Sequence, residues 1–318
     1  MIGRRWWIPW LWMAPALALL AVFLVWPVID TVRRSFFDGD SSNWVGLDNY
    51  QFIVDNPQTI SANTHEALLN NVLWLIVFPV VTVSLGLLIA VLAGRVRYEA
   101  IAKSAIFIPM AISFVAAGVI WRFMYELDPD QGTVNALLTA LGGDAQPWVQ
   151  DQGGPQTWFT GIGPDEWSWE VGGVNWLSPF QINNFAIITV GVWMWTGFAV
   201  VILSAGLKGI STEVLEAARV DGANEWQIFW RVIFPIMVPT IVVISTTLII
   251  QALKNFDLIF VLTGGRFGTD IVATLFYKQA FEVRDFGTGA ALAVILLAFV
   301  VPIMVVTVRR FQAQEEAR

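Results

Sequence analysis

No cysteine occurs in the 318 residues. Disulfide frameworks, thiolate zinc sites and thiol nucleophiles are therefore excluded. The single histidine, His65, is too few for a two-histidine metal pair, and no metal site is expected. Charge is also scarce, at 14% of residues against about 25% in soluble domains. The net charge of −7 and a pI near 4.7 repel phosphate, which excludes a nucleic-acid binder. None of the four lysines follows a glycine, so the phosphate-cradling pattern G-x-x-x-x-G-K-[ST] is missing and the chain is not expected to hydrolyse ATP itself. Long polar linkers and internal repeats are missing too. Residues 1–318 are read as one membrane domain.

What is abundant is apolar surface: 56% of residues are hydrophobic, and the mean hydropathy is +0.64. A helix needs about 20 apolar residues to cross a bilayer. Six stretches meet or approach that length: about 6–29, 71–93, 104–123, 185–207, 236–253 and 288–308. Backbone amides in lipid must be satisfied within the segment, and the alternation of barrel strands is absent. The expected fold is an all-α polytopic membrane protein with six transmembrane helices. The first stretch runs on to Ile29, past small-residue sites near Ala16, so it is longer than a signal core of about 7–15 residues and reads as a retained span.

Six spans place both termini on one side. With the N-terminus inside, the inner segments hold eleven of the 18 basic residues and only seven of the 25 acidic ones. Basic residues favour the cytoplasmic side, so both termini are expected there. Segment 124–182 is then extracytoplasmic. It carries eight acids, no lysine or arginine, and five tryptophans: Trp148, Trp158, Trp167, Trp169 and Trp176. Within it Thr133–Leu141 reads as a short helix stopped by Gly142-Gly143. The tryptophans fit either a headgroup belt and loop packing or a docking surface for a soluble partner.

The inner segment 211–235 is the most informative. Ser211 or Thr212 starts a helix over Glu213–Val220. Asp221-Gly222 turns it, Asn224–Val232 forms a second helix, and Pro235 and Pro239 mark the junction with span five. Two readings fit these residues equally: a rigid docking element, or an amphipathic loop lying on the membrane.

Glu216-Ala217-Ala218, then Gly222, then Pro235 thirteen residues further on, resembles the EAA loop of ABC importer permeases, with Val232 and Phe234 replacing the motif's isoleucine and leucine. Ile108-Pro109 through Trp121-Arg122 is similar to the third span of sugar-importer permeases. Asn255-Phe256-Asp257 through Thr263-Gly264-Gly265 is similar to the corresponding region of the maltose-type branch, and Trp193–Phe198 with Arg309-Arg310-Phe311 is most similar to α-glucoside permeases. The resemblance covers most of the chain. It implies the type I ABC importer permease fold in a prokaryotic cytoplasmic membrane, and import of a neutral sugar, an α-glucoside or other di- or oligosaccharide. It assigns Glu216, Ala217, Ala218, Asp221, Gly222 and Pro235 to a joint with the ATPase. It also implies the partners: a second related permease, two ABC ATPase subunits that bind ATP and magnesium, and an extracytoplasmic substrate-binding protein, all around a membrane-embedded subunit without a catalytic residue or cofactor of its own.

No Asp, Glu, Lys or Arg lies mid-span, which suits a neutral solute and argues against a proton relay or ion-coupled carrier. A self-contained secondary transporter or channel is the alternative, and it would call for buried ionisable groups or inverted repeats. On span five Leu248, Gln251, Ala252 and Asn255 share a face. On span four Trp195 and Phe198 are three residues apart. The resemblance places these six, with Met194, at cavity positions. Packing against lipid or neighbouring helices is the competing reading for each. Ser84, Gly86, Gly118 and Ser245 are expected to permit close helix packing.

Overall fold

A computed structural model describes residues 7–55, 61–94, 98–150, 170–171, 174–175 and 181–316. Apart from a hairpin of two-residue strands, β1 (Glu170–Val171) and β2 (Val174–Asn175), these residues form helices, turns and loops. The helices are α1 (Ile8–Arg34), α2 (Asp48–Asp55), α3 (Ser61–Ala93), the pair α4 (Glu99–Phe107) and α5 (Phe114–Met124), α6 (Thr133–Ala140), α7 (Ile182–Lys208), α8 (Thr212–Val220), α9 (Glu225–Leu253), α10 (Phe256–Leu262), α11 (Val272–Tyr277) and α12 (Phe286–Glu316). Four of them, α1, α3, α7 and α9, are long and apolar enough to cross a membrane. The bent pair α4–α5 makes a fifth if its two halves are one span, and the shorter apolar stretch Phe286–Pro302 of α12 falls at the expected sixth span.

The third expected span, 104–123, is not one straight helix. Its two halves meet at 100°. Pro109 lies in a single 3-10 turn after α4, and Ile112 then turns to extended backbone. Ser113 starts a new helix, its hydroxyl accepting from the Ala116 amide at 3.2 Å. Composition registers only that the stretch is apolar; the proline and the serine cap decide where it breaks.

Contacts divide the chain into two compact units, 1–64 with 275–302 and 65–274 with 303–318. In the first unit, α1 carries no buried side chain. A helix apolar all round and uncovered by its own chain belongs in lipid or against another subunit. The loop after it is tied down: Asn49 donates to the carbonyls of Ser35 at 2.9 Å and Phe37 at 2.7 Å. Gly46, at φ +63, makes the turn into α2.

In the second unit the core is built around α7, whose buried residues run from Ile182 to Ser204. Small residues on α7 and its neighbours let backbones approach. A Cβ on Gly86 of α3 would lie 2.7 Å from the Ala199 Cβ. On Gly197 it would lie 2.3 Å from the Ile106 carbonyl oxygen, and on Gly206 2.9 Å from Met237 Cε. Gly118 of α5 meets Val261 in the same manner, at 2.8 Å. Ser84 and Ser245 line a cavity between α3 and α9.

Candidate functional site

Segment 211–235 folds as a rigid arm. The Ser211 hydroxyl accepts from the Glu213 amide at 3.2 Å and begins α8, with Glu213 in the first turn where the helix dipole favours it. Gly222, at φ +83, ends the helix. Its amide donates to the Arg219 carbonyl at 3.0 Å, and the Ala223 amide reaches back to Ala218 at 3.1 Å. This pair of bonds is a Schellman cap, which needs a residue in the left-handed region. Nothing lies within 4 Å of a Cβ placed on Gly222, so backbone conformation and not crowding selects glycine there. Arg219 Nε pairs with Glu225 Oε1 at 3.0 Å across the turn. Asn224 and Gln227 then form a reciprocal capping box, each side chain accepting from the other's amide at 2.9 Å.

Leu215 and Ala218 are half-buried, with Leu215 packed on the core. The opposite surface is bare. Glu216, Ala217 and Asp221 are exposed, and Val220 is 87% exposed. No residue of α8 is buried.

The second helix and span five are continuous. Pro235 lacks an amide proton, so the carbonyl four residues earlier would lose its partner. The chain inserts a π turn over Phe229–Ile233, in which the Phe234 amide bonds the Phe229 carbonyl, and the helix proceeds through Pro235 to Leu253. Pro235 and Pro239 therefore do not form a break. Trp226, Trp230 and Phe234 pack in a row along one side, edge to face and tilted, with ring centroids 5.7 and 5.1 Å apart.

The residues assigned to the pathway are divided. Met194, Leu248 and Ala252 are buried, at 0–2% exposure. Trp195 and Phe198 are half-buried, and their rings meet edge to face at 5.5 Å. Gln251 is half-buried, and Asn255 sits at the N-terminus of α10 with 6% exposure. None of the seven lines the cavity of about 910 Å³ between α3 and α9, whose walls include Leu75, Val83, Leu87, Trp226, Phe229 and Phe234. Among the described residues no cluster of three His, Asp or Glu is placed to hold a metal.

In segment 124–182, α6 spans Thr133–Ala140, and Gly142 follows at φ +87. Asn135 is a hub there, donating to the Glu126 and Gln146 carbonyls and accepting from Trp148 Nε1 at 2.9 Å. Trp148 is thus a packing residue. Trp158, Trp167, Trp169 and Trp176 lie outside the described residues.

Residues 82–312 match the family model of the binding-protein-dependent transport system inner membrane component. The chain belongs to this family. It is 46% identical over 313 residues to the osmoprotective compounds uptake permease protein GgtC of Synechocystis sp., covering 97% of this chain and all of that one. It is 40% identical over 306 residues to the alpha-glucoside transport system permease protein AglF of Rhizobium meliloti, covering 95% and 81%. A chain of a bacterial ABC transporter that imports the acidic polysaccharide alginate shares the fold, with a TM-score of 0.69 at 22% identity over 95% and 96% of the two chains. A chain of a bacterial alginate ABC transporter in complex with alginate pentasaccharide-bound periplasmic protein shares the fold equally, with a TM-score of 0.69 at 22% identity over 95% and 92% of the two chains. Family membership makes this chain an inner-membrane permease subunit of an ABC transporter, a transport component.

Two features of the arm were not read from the sequence. The capping box was legible as Asn224 followed three residues later by Gln227. The π turn had no local signal beyond the proline it accommodates.

Proposed function

We propose that this permease imports a neutral sugar, an α-glucoside or other di- or oligosaccharide, and that α8 is the joint through which a separate ATPase drives it. One observation carries the joint: α8 is capped at both ends, yet buries none of its residues and presents Glu216, Ala217, Val220 and Asp221 to solvent. A stiff, uncovered helix with small residues between acidic ones suits close docking into a groove of a partner protein. Glu216 would meet a basic group there, and Gly222 would fix the angle of the arm. The partner ATPase pair would bind ATP and magnesium, both termini would lie in the cytoplasm, and a second permease and an extracytoplasmic binding protein would complete the assembly. The alginate transporter's complex with its periplasmic protein supports the last of these.

Support for sugar as cargo comes from the AglF relative and from spans without an ionisable residue at mid-depth. Trp195, Phe198 and Gln251, only half-buried in this chain, are the pathway residues best placed to meet a hydroxylated ring. The 46% identity to a permease for osmoprotective compounds favours a second reading, in which the cargo is a small osmoprotective solute.

The test is the reconstituted complex. Glu216→Lys should lower both uptake and ATPase stimulation about tenfold or more, the size of a coupling free energy of 1–3 kcal/mol, with membrane insertion intact. Uptake equal to the parent's would refute the joint. A panel of mono-, di- and trisaccharides and osmoprotectants, read by ATPase stimulation, separates the two cargo readings.

A further inference from the structure

Asn70 and Asn71 stand on α3, and Asn183 and Asn184 on α7; all four are buried. Two of them converge on one loop, Thr263–Ile271, between α10 and α11, and a third bonds the first residue after it. Asn70 Nδ2 donates to the Gly268 carbonyl at 2.9 Å and the Asp270 carbonyl at 2.7 Å. Asn184 Nδ2 donates to the same Gly268 carbonyl at 3.1 Å and to Asn70 Oδ1 at 3.0 Å. Asn71 Oδ1 accepts from the Val272 amide at 3.0 Å, just past the loop.

The loop so held is bent unusually. Gly264, Gly265, Phe267 and Gly268 all lie at positive φ, between +58 and +73. For Phe267 this is an unfavourable region that a side chain normally avoids, and such conformations persist only where the surroundings over-determine them. The surroundings here are the asparagine bonds, the Thr263 and Thr269 hydroxyls 2.6 Å apart, and Gln181. The Gln181 Oε1 would lie 2.2 Å from any Cβ on Gly268.

The place of this cluster is informative. Asn184 precedes Lys208, the last residue of α7, by 24 positions. At 1.5 Å per residue the two are about 36 Å apart, the depth of a bilayer core and part of its headgroups. The cluster therefore lies on the membrane face opposite α8. The loop directly follows the stretch that carries Gln251 and Asn255. A buried polar hub of this kind holds one geometry, because a slip leaves desolvated donors without acceptors.

We propose that Asn70 and Asn184 are positioning residues for transport: they clamp loop Thr263–Ile271 to the ends of α3 and α7, so that the three move as one body when the face opposite α8 opens and closes. The inference rests on the permease reading and adds to it a mechanical element distant from the joint.

The chain's lack of cysteine gives a clean probe. In the assembled complex in membrane vesicles, Phe267→Cys reports the loop through its rate of reaction with a membrane-impermeant maleimide. Asn70→Leu and Asn184→Leu keep the side-chain volume and remove the donors. The labelling rate should rise about tenfold, as expected for a lost local restraint, and uptake should fall by a similar factor, while ATPase subunits still co-purify and hydrolyse ATP at the basal rate. Gly268→Ala pushes the loop from the Gln181 side and should do the same. Adding Gln181→Ala removes the collision but not the strain of a Cβ at φ +73, so labelling should return only part of the way towards the parent rate, which a general loss of stability would not allow. Unchanged labelling in both leucine variants, or faster labelling with unchanged uptake, overturns the clamp. If the leucine variants fail to assemble, the alanine pair decides on the same two readouts. Failure of the parent complex to transport with ATP would instead overturn the permease reading.

Discussion

Two glycines show how differently one residue type acts in this chain. Gly222 sits at φ +83 with open space around it. Gly197 has its Cβ position 2.3 Å from the Ile106 oxygen and 2.7 Å from the Phe107 Cα. Gly222→Ala should therefore cost about 1 kcal/mol, the penalty for a Cβ in the left-handed region. Gly197→Ala drives a methyl group into backbone and should cost more, about 1–3 kcal/mol. Thermal denaturation of the purified complex should rank the two in that order; equal midpoints would mean that α4 yields easily. The sequence made the first legible and not the second. Asp-Gly after a helical pattern is a local turn signal, and the EAA spacing put a glycine there. Gly197 lies in Trp193–Phe198, which marks a resemblance but says nothing of α4, some ninety positions earlier in the chain. The asparagine clamp was hidden for the same reason: it joins residues nearly 200 positions apart, and no local pattern records that meeting.

Single helices were easier to read than their joints. Hydropathy located the four long apolar helices, the bent pair α4–α5 and the shorter apolar stretch Phe286–Pro302, because a segment in lipid must satisfy its own backbone. Proline misled twice, in opposite senses. Near Pro109 an apparently straight span breaks, where Ile112 turns extended and Ser113 caps a new helix. At Pro235 an apparent break is a continuous helix, because the π turn Phe229–Ile233 absorbs the lost bond. This turn has a mechanical consequence. A π turn places one extra residue in a helix, and one residue is about 100° of rotation. Deleting Trp230 should restore α-helical register, rotate α8 about α9 by about 100°, and abolish coupled uptake while the protein still inserts. Pro235→Ala, which supplies an amide proton without changing the length, should keep uptake within about twofold of the parent. Comparing ATPase stimulation in the two variants checks the idea; a deletion variant that still couples would show that α8 tolerates any azimuth.

The chain taken whole is unfinished by itself, since neither α1 nor α8 buries a side chain. Lipid suffices to cover α1, whose residues 8–25 are apolar apart from the backbone. It does not suit α8, where Glu213, Glu216, Arg219 and Asp221 surround Ala217 and Val220. Spans without an ionisable group at mid-depth support the proposal that energy enters from outside the chain, since a proton- or ion-driven carrier keeps such groups there. It follows that vesicles carrying this permease and its partner permease, but no ATPase subunits, should show no sugar accumulation under an imposed proton or sodium gradient. Adding the ATPase with ATP and magnesium should start uptake, and Glu216→Lys should stop it again. Radiolabelled disaccharide uptake measures all three states. Gradient-driven accumulation without the ATPase would remove the joint from the mechanism, because a carrier that captures its own energy has no use for a bare, doubly capped helix on its surface.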